Sequence, residues 1–365
     1  MAAGLLLAGW GVAQLEARLT FGMSAPLGKQ LRVAALVTEY RPGSHADVLL
    51  TKFLKGFPLD DGFHPPRVQL AGIYFDQCPK NEIGHALAAE HGVTVFDTIH
   101  QCLTLGGSHS SNEPDSKDEI AVDGVIIVGE HGDYAWNEKD QHLYPRKYFM
   151  EQACGVISKS KRAVPIFNDK HLSYNWHDAK WMVDRARELG VPFMAGSSLV
   201  FAWRKPWLEH PLGVRLQTAI AIGYSGLDIY GFHALEALQC MVERRAGGEV
   251  GLAAVQCLEG QDVWDACARG FIDMEVAEQA CATIENKPEG GIIANTPEPA
   301  AFLLEYRDGF RATVLMLNGY VSAQAYAARL EETGEICACS MSLKEGCPYG
   351  DPPYRPAEGT FAHFA

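Results

Sequence analysis

Several features are missing from this sequence, and each absence narrows what the protein can be. Beyond the N-terminus no apolar run is long enough to cross a bilayer, which needs about 20 residues, so no membrane partner is expected. There is no excess of positive charge. Thirty-one Lys and Arg stand against 45 Asp and Glu, a net charge of −14, whereas binding nucleic acid needs a basic face to neutralise phosphates. Lys159-Ser160-Lys161-Arg162 is the kind of short run that a solvated helix end carries. No His-Glu-x-x-His or Cys-x-x-Cys pattern is present. The ten cysteines are scattered, and their closest pair, Cys337 and Cys339, has the wrong spacing for a zinc knuckle or a redox motif. They read as reduced, buried small hydrophobes of a cytoplasmic protein. No low-complexity or disordered tract stands out.

What is there is globular, with 47% hydrophobic and 21% charged residues over 365 positions, a length that suits two domains. Met1–Val12 is apolar but lacks a basic flank and a clean cleavage site. It reads either as a degenerate export signal or as an extension ahead of a start near Met23. Residues 1–30 are set apart on that basis.

From Leu31 short apolar runs alternate with helical stretches. Strands are expected at Arg32–Val37, Val68–Phe75, Thr94–Phe96, Val122–Val128, Val164–Phe167 and Val191–Ala195. Helices are expected at Ala46–Leu54, Glu82–His91, Tyr144–Ser160 and Trp176–Leu189, the last stopped by Gly190. Leu105–Asp118 reads as a polar loop. Six strands with interleaved helices specify an α/β, doubly wound parallel sheet over residues 31–198.

After Ser198 the rhythm changes. One long helix, Leu227–Arg245, precedes strands at Leu252–Leu258, Ala301–Tyr306, Phe310–Leu317 and Ala323–Leu330, with a hairpin corner at Arg307-Asp308-Gly309-Phe310. Strands that follow one another without helices give residues 199–365 an α+β domain with an antiparallel sheet.

A doubly wound sheet binds ligands beyond the carboxyl ends of its strands. Those ends carry Thr38, Tyr40, Arg41 and Gly43, then Asp76, then Glu130, His131 and Asp133, then Asp169, Lys170 and His171. Much later, Asp228, His233 and Glu236 open the long helix, the latter two sharing one face. As carboxylate and imidazole donors, Glu130, His131, Asp133, His171 and His233 also suit a divalent metal that would stabilise an enediolate in a lyase or isomerase. A non-catalytic ligand-binding protein is the third reading. Trp203 and neighbouring aromatics suit stacking on a sugar ring.

Asp169-Lys170-His171 and the Asp228…His233 segment, with Ala186–Gly196 between them, resemble the Gfo/Idh/MocA family of oxidoreductases. The resemblance implies a Rossmann domain followed by a sheet domain, an NAD or NADP cofactor, and a sugar, cyclitol or related substrate. It implies that Lys170 orients the substrate hydroxyl and His233 removes its proton, with Asp169 and Asp228 beside them. His171, Trp203 and Glu236 would contact the substrate, and Thr38, Tyr40, Arg41, Gly43, Asp76, Glu130 and His131 the cofactor. A homo-oligomer is implied in the same way. So is a helix continuing past Phe361–Ala365 and packing back on the first domain. The loop after the first strand departs from the family pattern. It has one glycine where Gly-x-Gly-x-x-Gly is usual, and Glu39 opposes a phosphate. Asp76 is as well suited to capping a strand as to holding a ribose.

Overall fold

Alternation in the first strand already dictates a sheet covered on both faces. In β1 (Arg32–Val37) Ala34 and Leu36 point into one buried cluster, with Ile127, Phe149, Met150 and Met182. Ala35 and Val37 point into another, with Leu49, Leu50 and Ile73. Side chains with a period of two can serve both only if helices lie on either side. The computed structural model describes residues 30–59, 62–107 and 118–342. Most of the N-terminal extension, much of the polar loop and the Phe361–Ala365 segment lie outside the described residues.

In chain order the first lobe runs β1, α1 (His45–Lys55), a small hairpin of β2 (Phe57–Leu59) and β3 (Gly62–His64), β4 (Gln69–Phe75), α2 (Gly84–Glu90), β5 (Thr94–Phe96), α3 (Ile99–Thr104) and β6 (Gly124–Val128). It continues with α4 (Arg146–Ser160), β7 (Ile166–Asp169), α5 (Trp176–Glu188) and β8 (Phe193–Gly196). The six main strands are parallel in the order β5-β4-β1-β6-β7-β8. The chain therefore winds outward in both directions from β1, and the gap between the β1 and β6 ends is the switch point where such sheets bind ligands. Ser44 and Asn175 cap α1 and α5 through their side chains. Gly190, at φ +66°, turns the chain out of α5 as its position in the sequence suggested.

The second lobe contains β9 (Trp203–Lys205), β10 (Leu216–Gly223), α6 (Ile229–Val242), β11 (Leu252–Glu259), α7 (Gln261–Ala268), α8 (Met274–Ala282), α9 (Gly291–Asn295), β12 (Ala300–Tyr306), β13 (Arg311–Met316), β14 (Gln324–Leu330) and β15 (Ile336–Ser342). They form a seven-stranded sheet in the order β11-β12-β13-β10-β14-β15-β9. All its pairings are antiparallel except β10 with β13. The expectation of strands following one another without helices is corrected here, because α7, α8 and α9 separate β11 from β12. Their small Ala and Cys faces cover the sheet side opposite α6. The central strand β10 was also missed. Its Leu-Gln-Thr-Ala-Ile-Ala-Ile-Gly stretch, buried on both sides, alternates between two apolar clusters instead of between core and solvent. Among the described residues no helix is long and apolar enough to cross a membrane.

The β12–β13 corner forms where the sequence placed it, with Gly309 at φ +84°. It is tied to the end of α6 by Arg245. That guanidinium donates to Asp308 Oδ2 at 2.8 and 3.1 Å and lies 4.4 and 4.7 Å from the Tyr306 and Phe310 ring centroids. Arg245→Ala is expected to cost about 2–3 kcal/mol in urea unfolding, through the lost charge-assisted bond and ring contacts. Arg245→Lys should recover less than half, since a point charge cannot bond and stack together.

Candidate functional site

The carboxyl ends of β1, β6 and β7 gather a dense set of buried ionisable groups. Glu130, just past β6, is 2% exposed. One of its oxygens accepts from Lys170 Nζ at 2.9 Å, and the other pairs with the guanidinium of Arg146. Burial opposes ionisation of Glu130, but the Lys170 and Arg146 charges outweigh it and hold its carboxyl far below the ordinary carboxylate range. Its backbone carbonyl accepts from Thr38 Oγ1 at 2.7 Å, which joins β1 to β6 across the switch point.

Lys170 reaches this position on a left-handed backbone, φ +63°. A conformation that L-residues disfavour persists only where the surroundings over-determine it. Here the Lys170 N–H donates to the Gly196 carbonyl at 3.0 Å, and the buried Asn168 amide reaches the carbonyls of Asp169, Lys170 and His171 at 3.2–3.4 Å. Asp169 turns the other way, and its carboxylate lies 2.6 Å from Nδ1 of His45, the first residue of α1. The His45 ring meets His131 edge-on, 5.3 Å between centroids.

Three histidines surround this core, and all are held neutral near pH 7. Burial first, then the charge of His45, lowers His131 to about 4. Burial and Arg146 lower His171 to about 3, and burial and Lys170 lower His233 to about 3. Arg146 donates to His171 Nε2 at 3.2 Å. Because a guanidinium only donates, the His171 proton sits on Nδ1, a buried atom without a partner among the described residues. His233 and Glu236 do share one face of α6. They grip the same residue, His233 Nδ1 lying 2.5 Å from Ser197 Oγ and Glu236 accepting from the Ser197 N–H at 3.2 Å. Burial raises the Glu236 carboxyl despite that N–H. Ser197 follows Gly196, the bridge partner of Lys170, so one strand end connects Lys170 to His233.

Other candidates lie differently. Asp228 sits at the start of α6 without capping it and accepts from Gln141 at 3.0 Å. Asp76 is held by Tyr74 and Tyr134, whose hydroxyls donate at 2.8 and 2.6 Å, so both its oxygens are spoken for. Tyr40 is buried against the α1 side of the sheet, with its hydroxyl 2.8 Å from Thr51. Trp203 pairs with Ser342 at the edge of the second sheet, and its buried indole nitrogen has no partner among the described residues. The Asp133 backbone pairs with the Gln77 side-chain amide, its N–H donating to Oε1 at 2.8 Å and its carbonyl accepting from Nε2 at 3.0 Å.

Among the described residues, no group of three or more His, Cys, Asp or Glu converges as a metal would require. The physical reason is at Glu130, whose oxygens already face two cations.

The loop after β1 is folded onto itself. Gly43 N–H donates to Asp47 at 2.8 Å, Arg41 N–H to Ser44 at 3.2 Å, and the Arg41 guanidinium pairs with Glu39 at 2.5 Å. The Gly43 N–H is thus taken up within the loop, and the partly exposed Arg41 guanidinium is paired with its own neighbour Glu39.

Two residues escaped sequence reasoning. Arg146 had a readable signal, since a cation on the first residue of a helix with no acid in its first turn opposes the helix dipole. Ser197 had none.

The arrangement defines a two-lobed α/β protein with a buried cluster of ionisable groups at the parallel sheet's carboxyl edge. No protein-family model and no curated protein matches the chain. Among solved structures, GenD2 from gentamicin A biosynthesis, in complex with NAD, superposes with a TM-score of 0.52 at 14% identity, over 94% of this chain and 86% of that one. The dehydrogenase MviM from Clostridium difficile matches at a TM-score of 0.48 and 8% identity, over 92% of this chain and 88% of that one. An apo scyllo-inositol dehydrogenase from Lactobacillus casei gives 0.46 and 10%, over 85% and 75%. At such identities the likeness is one of fold.

Proposed function

We propose that this chain is a Gfo/Idh/MocA-type oxidoreductase that acts on a hydroxyl or carbonyl of a sugar, cyclitol or close derivative with a nicotinamide cofactor. The observation that carries this reading is Lys170, held at φ +63° and paired with buried Glu130 at the carboxyl end of β7, and linked through its bridge partner Gly196 and the next residue, Ser197, to His233 from α6. The fold shared with the NAD complex of GenD2 supports the choice of cofactor.

When bound, the nicotinamide supplies the hydride acceptor or donor. The residues suited to hold the dinucleotide are Thr38, Gly43 and His131 along the switch point, with Arg41 released from Glu39 to meet the diphosphate. The chain's own contribution is at the substrate oxygen. Lys170 binds and polarises it, and Glu130 and Arg146 fix the lysine in place. His233, lowered to about 3, is a poor base at neutral pH. This departs from the base role the resemblance implied, and leaves His233 a neutral hydrogen-bonding partner for the same oxygen. His171 and Glu236 line the substrate side.

The test is a fluorescence titration of the purified protein with NADH and NADPH. Saturable binding of one is expected, weakened about tenfold or more in Arg41→Ala through loss of a charge-assisted bond. Absence of binding at millimolar concentration would overturn the redox reading and favour a ligand-binding protein, to which the inward-folded loop is equally suited.

A further inference from the structure

We infer that Ser197 is a positioning residue that fixes His233 as its Nε2–H tautomer, so that the imidazole presents an N–H donor to the ligand. Only the consequence for a substrate rests on the function proposed above. The tautomer itself follows from the local geometry.

Ser197 is fully buried, and four bonds define its surroundings. Its N–H donates to Glu236 at 3.2 Å, its Oγ accepts from the Leu199 N–H at 3.0 Å, and its Oγ lies 2.5 Å from His233 Nδ1. The fourth, from Lys170 N–H to the carbonyl of neighbouring Gly196, holds the strand end on which Ser197 sits. Oγ has one proton to give. If the His233 proton were on Nδ1, Oγ would receive two N–H groups while its own proton had no acceptor among the described residues. A dry, unpaired hydroxyl proton is costly. With the proton on Nε2, every group is satisfied. Leu199 N–H donates to Oγ, Oγ–H donates to Nδ1, and Nε2–H remains. That nitrogen has no hydrogen bond among the described residues and is absent from the buried unpartnered atoms.

Glu236 completes the device from the same helix face. By holding the Ser197 N–H it stops the serine from turning away, so two residues of α6 clamp one residue at the exit of β8. The added Cβ of a Gly196 substitution would lie 3.0 Å from the Glu236 carboxylate, which shows how closely the two lobes meet here. A neutral imidazole N–H can stabilise negative charge growing on a substrate oxygen without itself being charged. In the direction that reduces a carbonyl, the Lys170 ammonium, already a donor to Glu130, can supply the proton that the oxygen takes up.

The experiment is a long-range ¹H–¹⁵N spectrum of the labelled full-length protein, with His233 assigned by its loss in His233→Gln. The expected result is a protonated Nε2 and an unprotonated, downfield Nδ1. In Ser197→Ala the His233 signals should move toward a mixture of tautomers, while Ser197→Thr, which keeps the hydroxyl, should restore the single form. With a substrate in hand, Ser197→Ala should lose about tenfold in turnover, the worth of about one hydrogen bond, and Ser197→Thr should recover it. A protonated Nδ1 in the wild type overturns the proposal, as does an unchanged spectrum in Ser197→Ala. Covalent labelling of Ser197 by a fluorophosphonate would overturn it too, by making the serine a nucleophile. Each of these outcomes is independent of whether NADH binds, so failure here and failure of the redox reading are told apart.

Discussion

Glu130→Gln is expected to lower stability at pH 7 by about 3–5 kcal/mol, because it strands two buried cations around a neutral amide. Arg146 and Lys170 are 1% and 4% exposed, so water cannot take over from the carboxylate. The amide would also point an N–H₂ at one of the two donors. The pH dependence has a definite sign. The Glu130 carboxyl lies far below its ordinary value of 4.5 because the two cations overcome the opposing effect of burial. Its stabilisation is therefore complete above the ordinary carboxylate range and is lost progressively as pH falls below it. Urea unfolding should show wild type and Glu130→Gln converging as pH drops from 7 toward 3. Removing a cation as well should repair part of the damage, so Glu130→Gln with Lys170→Met is expected to be more stable than Glu130→Gln alone. A single variant within about 0.5 kcal/mol of wild type would mean that the triad is solvated and the site open.

The first lobe was legible because its central strands β1 and β6 are short apolar runs buried on both faces, and such runs announce themselves without a partner. β10 is buried in the same way, but its run carries Gln217 and Thr218 near its start and small alanines after them, so it does not stand out as an apolar strand. The helices α7 to α9 are short and present small residues. What made the site partly readable was topology. Once Glu130 and Lys170 were assigned to strand ends, the sheet had to bring them to one edge. Arg146 and Ser197 do their work through residues 16 and 36 positions away, and such pairings exist only after folding. Asp76 was legible only as a strand-ending carboxylate, and its partners, Tyr74 from its own strand and Tyr134 from the β6 loop, are brought to it by the fold. The His233 pKa is likewise set by packing, because burial first and Lys170 second lower it to about 3.

Lys170→Met is expected to reduce turnover about 10²–10⁴-fold, the range associated with losing a positioned acid or base, on any sugar or cyclitol the wild type converts. Methionine keeps the length of the side chain and pays the same backbone cost at φ +63°, so the comparison isolates the ammonium group. Lys170→Gly removes the ammonium and the left-handed strain together. It should be as inactive as Lys170→Met but more stable by about 1–2 kcal/mol, the penalty for an L-residue in that region. Glu130 retains Arg146 in both variants, so the fold survives and nicotinamide affinity should change little. This separates two roles that the geometry leaves superimposed. If Lys170 served only to neutralise Glu130, Lys170→Met would lose stability and keep turnover within about threefold, since a bystander to the reacting oxygen contributes little to the barrier. If it acts on the substrate, turnover collapses while the two variants differ only in stability.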